Sequence, residues 1–459
     1  MSTVVPPGPP LRFSAPRLSP SVRAFVANEA GSAVVLLAAT LVALAWANSP
    51  WWHSYDSLWE TPVSLRVGSE AMTLDLRHVV NDAAMALFFL VLGLEITSEV
   101  TTGDLRDPRK VVVPALGAVG GMLVPVAIYL AVDHSSQTAH GWGVVMSTDT
   151  AFVLGVLALF GPRCPDALRL FLLTLAVVDD IGAITVLAVA YTESVRVWPL
   201  VVAAALLAAF AALRWLGAWR TTPYVLLGVA LWCAVYRSGV HPTLAGVLVG
   251  LLVPATPVHE DQTRRLLFFG RALAEEPTAA QARVATLAVQ ATVPTGERLQ
   301  RELHPWSAYV VVPLFGLANA GVHVDGGVLH DASTSPLTLG IVVALVVGNA
   351  VGITLASWAA LRSGLGDLPG RVRYGHLVGG AVLAGMGFTI SLFVADLAFD
   401  DPVLRDQAKI GVLAGSLVAA VLGTLVIRFM GERSPLCTPA SGLPAGSLPP
   451  LPWTSPAGG

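Results

Sequence analysis

Charged side chains are scarce in this chain, and lysine is nearly absent. Only 12% of the 459 residues are charged, and the two lysines, Lys110 and Lys409, stand beside 25 arginines. Apolar residues make up 54% of the chain, and the mean hydropathy is +0.70. This composition excludes an ordinary soluble domain and indicates a polytopic membrane protein.

Cysteine is also rare, and the chain shows no signs of a cofactor site. Cys164, Cys233 and Cys437 have neither paired nor metal-ligand spacing, so no disulfide framework is predicted. Nothing in the sequence indicates an organic cofactor or a nucleic-acid partner. Residues 1–21 lack the apolar core of a signal peptide, and residues 431–459 are similarly polar and proline-rich. We predict two disordered tails around a membrane domain at 22–430.

Apolar runs of about bilayer length recur along the whole domain. Because a transmembrane helix needs about 20 apolar residues, the sequence predicts an all-α membrane protein with about twelve transmembrane helices. Residues 63–76 alternate in polarity and predict a short β-hairpin outside the membrane, and Thr278–Glu302 predicts a surface helix. The predicted spans are centred on 31–48, 79–96, 111–132, 141–160, 168–191, 197–214, 222–236, 241–256, 306–322, 337–361, 374–399 and 407–430.

The positions of the basic residues predict the orientation. Cytoplasmic loops accumulate Lys and Arg, and most of the 27 basic residues fall in such loops when the amino terminus is placed inside. Both termini are therefore predicted to be cytoplasmic, in the cell (inner) membrane. This arrangement puts Lys110 in a cytoplasmic loop and Lys409 in an external one, so no lysine is expected inside any span.

Two adjacent carboxylates, Asp179 and Asp180, interrupt the apolar run at 168–191. An ionisable group at the bilayer centre costs about 2.5 to 3.5 kcal/mol, so the pair indicates a site for a cation or a proton rather than a buried polar pair. Adjacent carboxylates titrate as a coupled unit. Na+ and Li+ are hard cations that prefer oxygen ligands, which Asp149 and Thr148 could add to this site.

Two spans are weak as continuous helices, because glycines surround Ser147–Thr150 and occur at Gly379-Gly380 and in Gly385–Thr389. Such interruptions at corresponding positions of two halves predict discontinuous helices that cross at a midplane site, within inverted repeats at roughly 111–191 and 337–430. The alternative is that the small residues only allow close helix packing. Asp149 beside the glycines favours broken helices, and it would also suit a helix-capping role.

Four other titratable residues lie in or near spans, and two of them, Asp82 and His241, have two interpretations each. Asp82 could be a packing residue or part of an access funnel. Glu95 and Asp396 lie near span ends, where solvation is easy, and Asp396 is predicted to be interfacial. His241 could titrate near neutral pH, or it could be a satisfied histidine at a loop end.

Five sequence motifs, given below, resemble those of the NhaA-type sodium/proton antiporters, and the resemblance covers roughly residues 22–430. Their order along the chain is highly specific to that family. The motifs are Asn81-Asp82 with Phe88–Glu95, Ser147–Phe152, Val178–Ile184, Gly239–Gly246, and Leu303–Trp306 through Ala318–Gly321.

The resemblance implies a secondary transporter, not an enzyme, with no catalytic residues. It implies that Na+ or Li+ is exchanged for H+ at Asp179 and Asp180, with support from Asp149 and Thr148, in the service of sodium and pH homeostasis. The remaining family positions for an access funnel or a pH response match Glu95, Asp82, His241 and Glu99.

Departures from the family pattern affect the expected mechanism. Asn349 occupies the position of a lysine in the best-known type, so exchange is expected either to be one for one or to carry both protons on the aspartate pair. Thr97-Ser98 replaces a basic pair, and Gln300 replaces an acidic residue. We therefore expect activation by pH to be weaker or shifted.

Other classes of function remain to be distinguished from antiport. A sodium-coupled organic-anion symporter of similar architecture would not need adjacent aspartates. An intramembrane aspartyl protease is suggested by Gly364–Asp367, but this segment lies in a basic loop. A subunit without transport activity would be silent in isolation. The predicted hairpin could pair two copies across a twofold axis in a homodimer.

Overall fold

The computed structural model of the chain describes residues 29–67, 70–101, 103, 106, 108–160, 166–192, 196–218, 220–255, 260–324, 326–366 and 374–433. The predicted amino-terminal tail, Asp367 and residues 434–459 lie outside these ranges. The last helix runs to Arg433, three residues beyond the predicted carboxyl-terminal boundary of the membrane domain.

Almost all of the described residues are helical. The first part contains α1 (Glu29–Ala47), α2 (Trp52–Trp59), β1 (Pro62–Val67), β2 (Glu70–Asp75), α3 (Leu76–Thr101), α4 (Pro108–Val132), a 3₁₀ segment (Ala139–Val145), α5 (Thr150–Phe160), α6 (Asp166–Ala190), α7 (Val197–Trp215) and α8 (Thr221–Ser238). The second part contains α9 (Thr243–Leu252), α10 (Glu260–Glu275), α11 (Ala279–Thr292), α12 (Thr295–Trp306), a π-helical segment (Ser307–Val311), α13 (Val312–Asn319), α14 (Gly326–Thr334), α15 (Pro336–Arg362), α16 (Tyr374–Leu383), α17 (Phe388–Ala398) and α18 (Pro402–Arg433).

The predicted all-α membrane fold is confirmed, whereas the count of twelve spans stays a prediction. Among the described residues, six helices are long and apolar enough to cross a bilayer, or eight if each of two bent helix pairs is one span. Each predicted apolar run coincides with helical structure. The shorter pieces, such as the ten-residue α9, fall below the length that a straight span needs.

The β-hairpin is confirmed, and the loop that contains it also holds a helix that was not predicted. Strands β1 and β2 pair antiparallel, with Val63 opposite Leu74. The additional helix, α2, is anchored by Tyr55, which is 1% exposed and donates a hydrogen bond from its hydroxyl to Leu317 O at 2.8 Å.

The prediction of one surface helix over Thr278–Glu302 is wrong in its length. The segment forms two helices, α11 and α12, which are separated at Val293-Pro294 because proline lacks the N–H that a continuous helix needs. A further helix, α10, precedes them. The two ends of the segment that contains α10 and α11 lie side by side, because Gly296 N donates a hydrogen bond to Pro254 O at 2.9 Å.

The helices form two groups by their contacts. The site group comprises α4, the 3₁₀ segment, α5, α6 and α15 to α18; the flanking group comprises α1, α3, α7 to α9, α12 and α13; the two groups meet where α1 packs against α5. Helices α3 and α9 run in the same direction, and a Cβ on Gly93 would lie 2.7 Å from Val247 O. This close approach, typical of small residues between membrane helices, brings the beginning of α3 beside the beginning of α9.

Candidate ion-binding site

Two helical spans of the site group are interrupted where they meet. The first consists of the 3₁₀ segment and α5, which are separated by Met146–Asp149. The second consists of α16 and α17, which are separated by Ala384–Gly387 and bent by 43°. The predicted discontinuous helices are thus confirmed.

Hydrogen bonds join the two interruptions directly. Asp149 N donates to Met386 O at 2.6 Å, and Thr148 Oγ1 donates to Ala384 O at 2.8 Å. Backbone groups that would be unpaired at a broken helix inside a membrane are therefore paired with the other broken span.

Asp149 caps the amino-terminal ends of both half-helices. Its Oδ1 accepts from Phe152 N at 3.0 Å, within the first turn of α5, and its Oδ2 accepts from Thr389 N at 3.1 Å, in the first turn of α17. The Thr389 hydroxyl donates to the same Oδ2. The α17 N-cap, Gly387, has no side chain to do this. One carboxylate thus offsets two positive helix ends.

The aspartate pair lies in α6 beside this crossing. Asp179 and Asp180 are 2% and 6% exposed. Asp179 Oδ2 accepts a hydrogen bond from Thr148 N at 2.6 Å, so it is held by the backbone of the first interruption. Asp180, the next residue along the helix, is among the residues that line a cavity.

The cavity has a volume of about 380 Å³ and lies between the two helix groups. At one end Asp180, Asp149, Thr148 and Thr389 line it with oxygen atoms. It extends to Glu95 near the end of α3, where α1 and α12 contribute further residues. Among the described lining residues, three bear carboxylates and His304 is the basic one.

Thr389 and His304 are site residues that were not predicted individually. Thr389 stood within the quoted glycine-rich stretch, and its position just after the interruption was a signal that it would face the other half-helix. His304 belongs to the Leu303–Trp306 motif, but nothing in the sequence showed that α12 would bring it beside Glu95.

The residues predicted for an access funnel separate into two places. Glu95 and Glu99 lie in the last two turns of α3, whereas Asp82 lies in its π-helical part at Val79–Ala84. Asp82 and Glu95 are 13 residues apart, or about 20 Å along a helix at 1.5 Å per residue. Asp82 therefore belongs to a different end of the span.

Asp82 is paired there with His241 at the beginning of α9. Asp82 Oδ1 lies 3.7 Å from His241 Nε2, and Asp82 is 9% exposed. His241 Nδ1 is 2.8 Å from Thr243 Oγ1, within hydrogen-bonding distance. The alternatives for Asp82, packing or access, and those for His241, titration or a satisfied loop end, thus concern one shared contact.

Two departures from the family pattern lie in packing contacts. Asn349 is 1% exposed and donates from Nδ2 to Leu345 O of its own helix at 3.2 Å, while the carbonyl of Ala384 is bonded by Thr148. Thr97, in place of a basic residue, is buried and donates to Gly250 O of α9 at 3.1 Å.

The expectation that no lysine lies inside a span is wrong. Lys409 lies in α18, within the span at Pro402–Phe429, and is 4% exposed. Its Nζ is 2.7 Å from Asp396 Oδ1 in the last turn of α17. The loop boundary was misplaced because α18 begins at Pro402 rather than near 407. This lysine pairs with Asp396 and not with the aspartate pair of α6.

Removing one member of this ion pair should destabilise the protein more than removing both. Asp396→Leu leaves a buried ammonium without its counterion and is expected to cost about 3 kcal/mol, whereas Asp396→Leu with Lys409→Met should recover most of the loss. Thermal unfolding of the purified variants in detergent measures this. A double variant that is no more stable than Asp396→Leu would contradict the pairing.

Comparison with known proteins agrees with the resemblance. The family model described as Na+/H+ antiporter 1 matches residues 23–427. A relative from Frankia alni, Na(+)/H(+) antiporter NhaA 3, is 59% identical over 98% of this chain and 97% of its own length. Na(+)/H(+) antiporter NhaA 1 from Mycolicibacterium gilvum is 46% identical over 91% of this chain and 68% of its own length.

Among solved structures, the sodium proton antiporter MjNhaP1 from Methanocaldococcus jannaschii covers 87% of this chain and 92% of its own, with 13% identity and a TM-score of 0.44. That likeness is too low to bear on the site. The family match and the sequence identities decide the matter: the chain is a multi-pass membrane protein that belongs to the NhaA-type Na+/H+ antiporters, a family of secondary transporters rather than enzymes.

Proposed function

We propose that this chain exchanges Na+ or Li+ for H+ because the cation and the proton compete for the carboxylates of Asp179 and Asp180. The observation that carries the proposal is the cavity that ends at Asp180 and is lined there by carboxylate and hydroxyl oxygens. Hard cations prefer such oxygens, and a proton binds the same atoms. Exchange follows if the site opens to one side of the membrane at a time.

The hydrogen bonds suggest different roles for the three aspartates. Asp149 accepts three hydrogen bonds from Phe152 and Thr389, so it supports the site by holding the half-helices together. Asp179 is held by the amide of Thr148. Asp180 lines the cavity and is the member of the aspartate pair that a cation entering through it meets.

Competition between cation and proton can be measured without transport. In a weakly buffered detergent solution, adding NaCl or LiCl to the purified protein should release protons, whereas choline chloride should release none. The Asp133→Asn variant is a matched control that should release protons as the parent does. Asp133 is a carboxylate of 4% exposure that lies beyond the end of α4. No proton release by Na+ at any pH between 6 and 9 would contradict the competition.

The orientation of the protein belongs to the same proposal. The excess of basic residues in alternate loops supports cytoplasmic termini, with the β-hairpin outside. The cavity then extends from the aspartate pair toward the cytoplasm, and Glu95 lies along the cytoplasmic approach. Asp82 and His241 lie toward the external face.

Transport is expected to be one Na+ for one H+ and therefore electrically silent. Asn349 cannot titrate, Lys409 is paired with Asp396, and Asp180 is the one member of the aspartate pair among the described lining residues of the cavity. Sodium-driven proton movement in proteoliposomes should have the same rate with and without an imposed membrane potential. Clear acceleration by the potential would instead indicate that two protons ride on Asp179 and Asp180.

A homodimer is a further part of the proposal. Strands β1 and β2 form a sheet of two strands, and such a sheet leaves hydrogen-bonding edges on which the hairpin of a second copy could add. A twofold axis would bring the same edge of each copy together.

A further inference from the structure

Phe393 of α17 is enclosed by rings from two helices of the flanking group and by His241, which lies just before α9. Its ring centroid lies 5.7 Å from that of Phe89 in α3, 6.2 Å from that of Phe315 in α13, and 5.1 Å from that of His241. The side chain is 1% exposed. Because α17 belongs to the site group, this cluster is a contact between the two groups.

The ring of Phe393 lies between two groups of polar residues. One helical turn earlier on the same face of α17, Thr389 bonds Asp149 and lines the cavity. On its other side Phe393 touches His241, which is paired with Asp82. The described lining of the cavity includes Thr389 and Ile390 but stops short of Phe393.

These positions define a route through the membrane. We call the face at which α3 begins, next to the β-hairpin, the hairpin side. Asp82 and His241 lie toward this side, and the cavity extends from Asp180 in the other direction, toward Glu95. Phe393 lies between the end of this cavity at Thr389 and the Asp82–His241 pair.

We propose that Phe393 is the gate that closes the aspartate pair to the hairpin side of the membrane, with Asp82 and His241 as the polar residues beyond it. Apolar constrictions stop ions by excluding the water that ions carry. The three centroid distances fall within the range of packed aromatic pairs, and Phe393 is buried, so the cluster is an apolar constriction of this kind. The inference rests on the proposed exchange at the aspartate pair, because it gives that site its second exit.

Phe393 and one residue of the site, Thr389, belong to the same helix. Thr389 and Phe393 are one turn apart on α17, and Thr389 is bonded to Asp149. A displacement of α17 away from α3, α9 and α13 therefore withdraws the ring and moves the site together. Phe393 acts as a positioning residue, since it closes the route without binding the cation.

Accessibility of a cysteine in the cavity tests the gate. The reporter is Ile390→Cys, which lines the cavity, in a chain whose Cys164, Cys233 and Cys437 are replaced by Ser. A membrane-impermeant cationic thiol reagent is added to one face of the vesicles. Ser64→Cys, in the exposed part of the hairpin, identifies in a parallel sample which face is the hairpin side.

With Phe393 present, the reporter should react slowly from the hairpin side. Phe393→Ala is expected to raise this rate at least 10-fold, and Phe393→Leu, which keeps apolar bulk, should give a smaller increase. Phe399→Ala is the matched control, since Phe399 is also a buried ring, 2% exposed, but packs against Gly141 of the site group. It should leave the rate unchanged.

An unchanged hairpin-side rate in Phe393→Ala, with normal labelling from the cavity side, would overturn the gate. If Phe393→Ala does not fold, Phe393→Leu decides, and a rate equal to that of the parent would overturn it as well. Labelling needs no transport, so this result is independent of the exchange mechanism. Failure of the proposed function would appear separately, as exchange that persists when Asp180 is neutralised.

Discussion

Replacing Asp180 with Asn is expected to reduce Na+- and Li+-induced collapse of a pH gradient in inside-out vesicles to below about 1% of the normal rate. The substitution keeps the shape of the side chain but removes the charge that binds both cation and proton. A loss of about 3 kcal/mol in cation binding already weakens it by about 100-fold. Fluorescence of a pH-sensitive dye after addition of NaCl or LiCl measures the collapse.

The matched control for this experiment is Asp133→Asn, which removes a carboxylate of similar burial outside the cavity. It should collapse the gradient at the normal rate. If Asp180→Asn also did so, exchange would not depend on the carboxylate of Asp180. If the parent protein did not respond between pH 6 and 9, sodium/proton exchange itself would be in doubt, and the symporter or silent-subunit interpretations would need to be tested next.

Asp149→Ala is expected to lower both stability and exchange, in contrast to Asp180→Asn. Alanine removes the acceptor of three hydrogen bonds and leaves two helix ends uncapped. At about 1 kcal/mol for each cap, the loss is about 2 kcal/mol. Thermal unfolding in detergent and vesicle exchange, measured on the same preparation, separate the two effects.

Asp149→Asn serves as the comparison, because asparagine is a good helix cap and keeps one oxygen acceptor. Its unfolding midpoint should lie between those of the parent and Asp149→Ala. A midpoint for Asp149→Ala equal to that of the parent would mean that the two half-helices do not depend on this carboxylate for their connection.

The elements of the fold that depend on local sequence could be predicted. Glycines beside Asp149 and around Gly385–Thr389 predicted the interrupted spans, and alternating polarity predicted the hairpin. Helices α2 and α10 were not predicted, because neither is an apolar run of bilayer length. The division at Val293-Pro294 has a local signal in the sequence, the proline within the predicted surface helix.

Contacts between distant helices could not be read from the sequence. The pairing of Lys409 with Asp396 depends on how α18 lies against α17, and the separation of Asp82 from Glu95 depends on which end of α3 each occupies. The proximity of the aspartate pair to Thr148 was expected from family resemblance. The capping of α17 by Asp149 required the crossing geometry itself.

The hydrogen bond from Gly296 to Pro254 has a consequence for variation in chain length. Because the segment at 255–295 leaves and rejoins the membrane domain at one point, its length does not set the spacing between α9 and α12. Lengthening a flexible loop whose ends stay fixed costs little free energy. Homologous transporters could therefore gain or lose α10 and α11 without altering the helices that carry the ion.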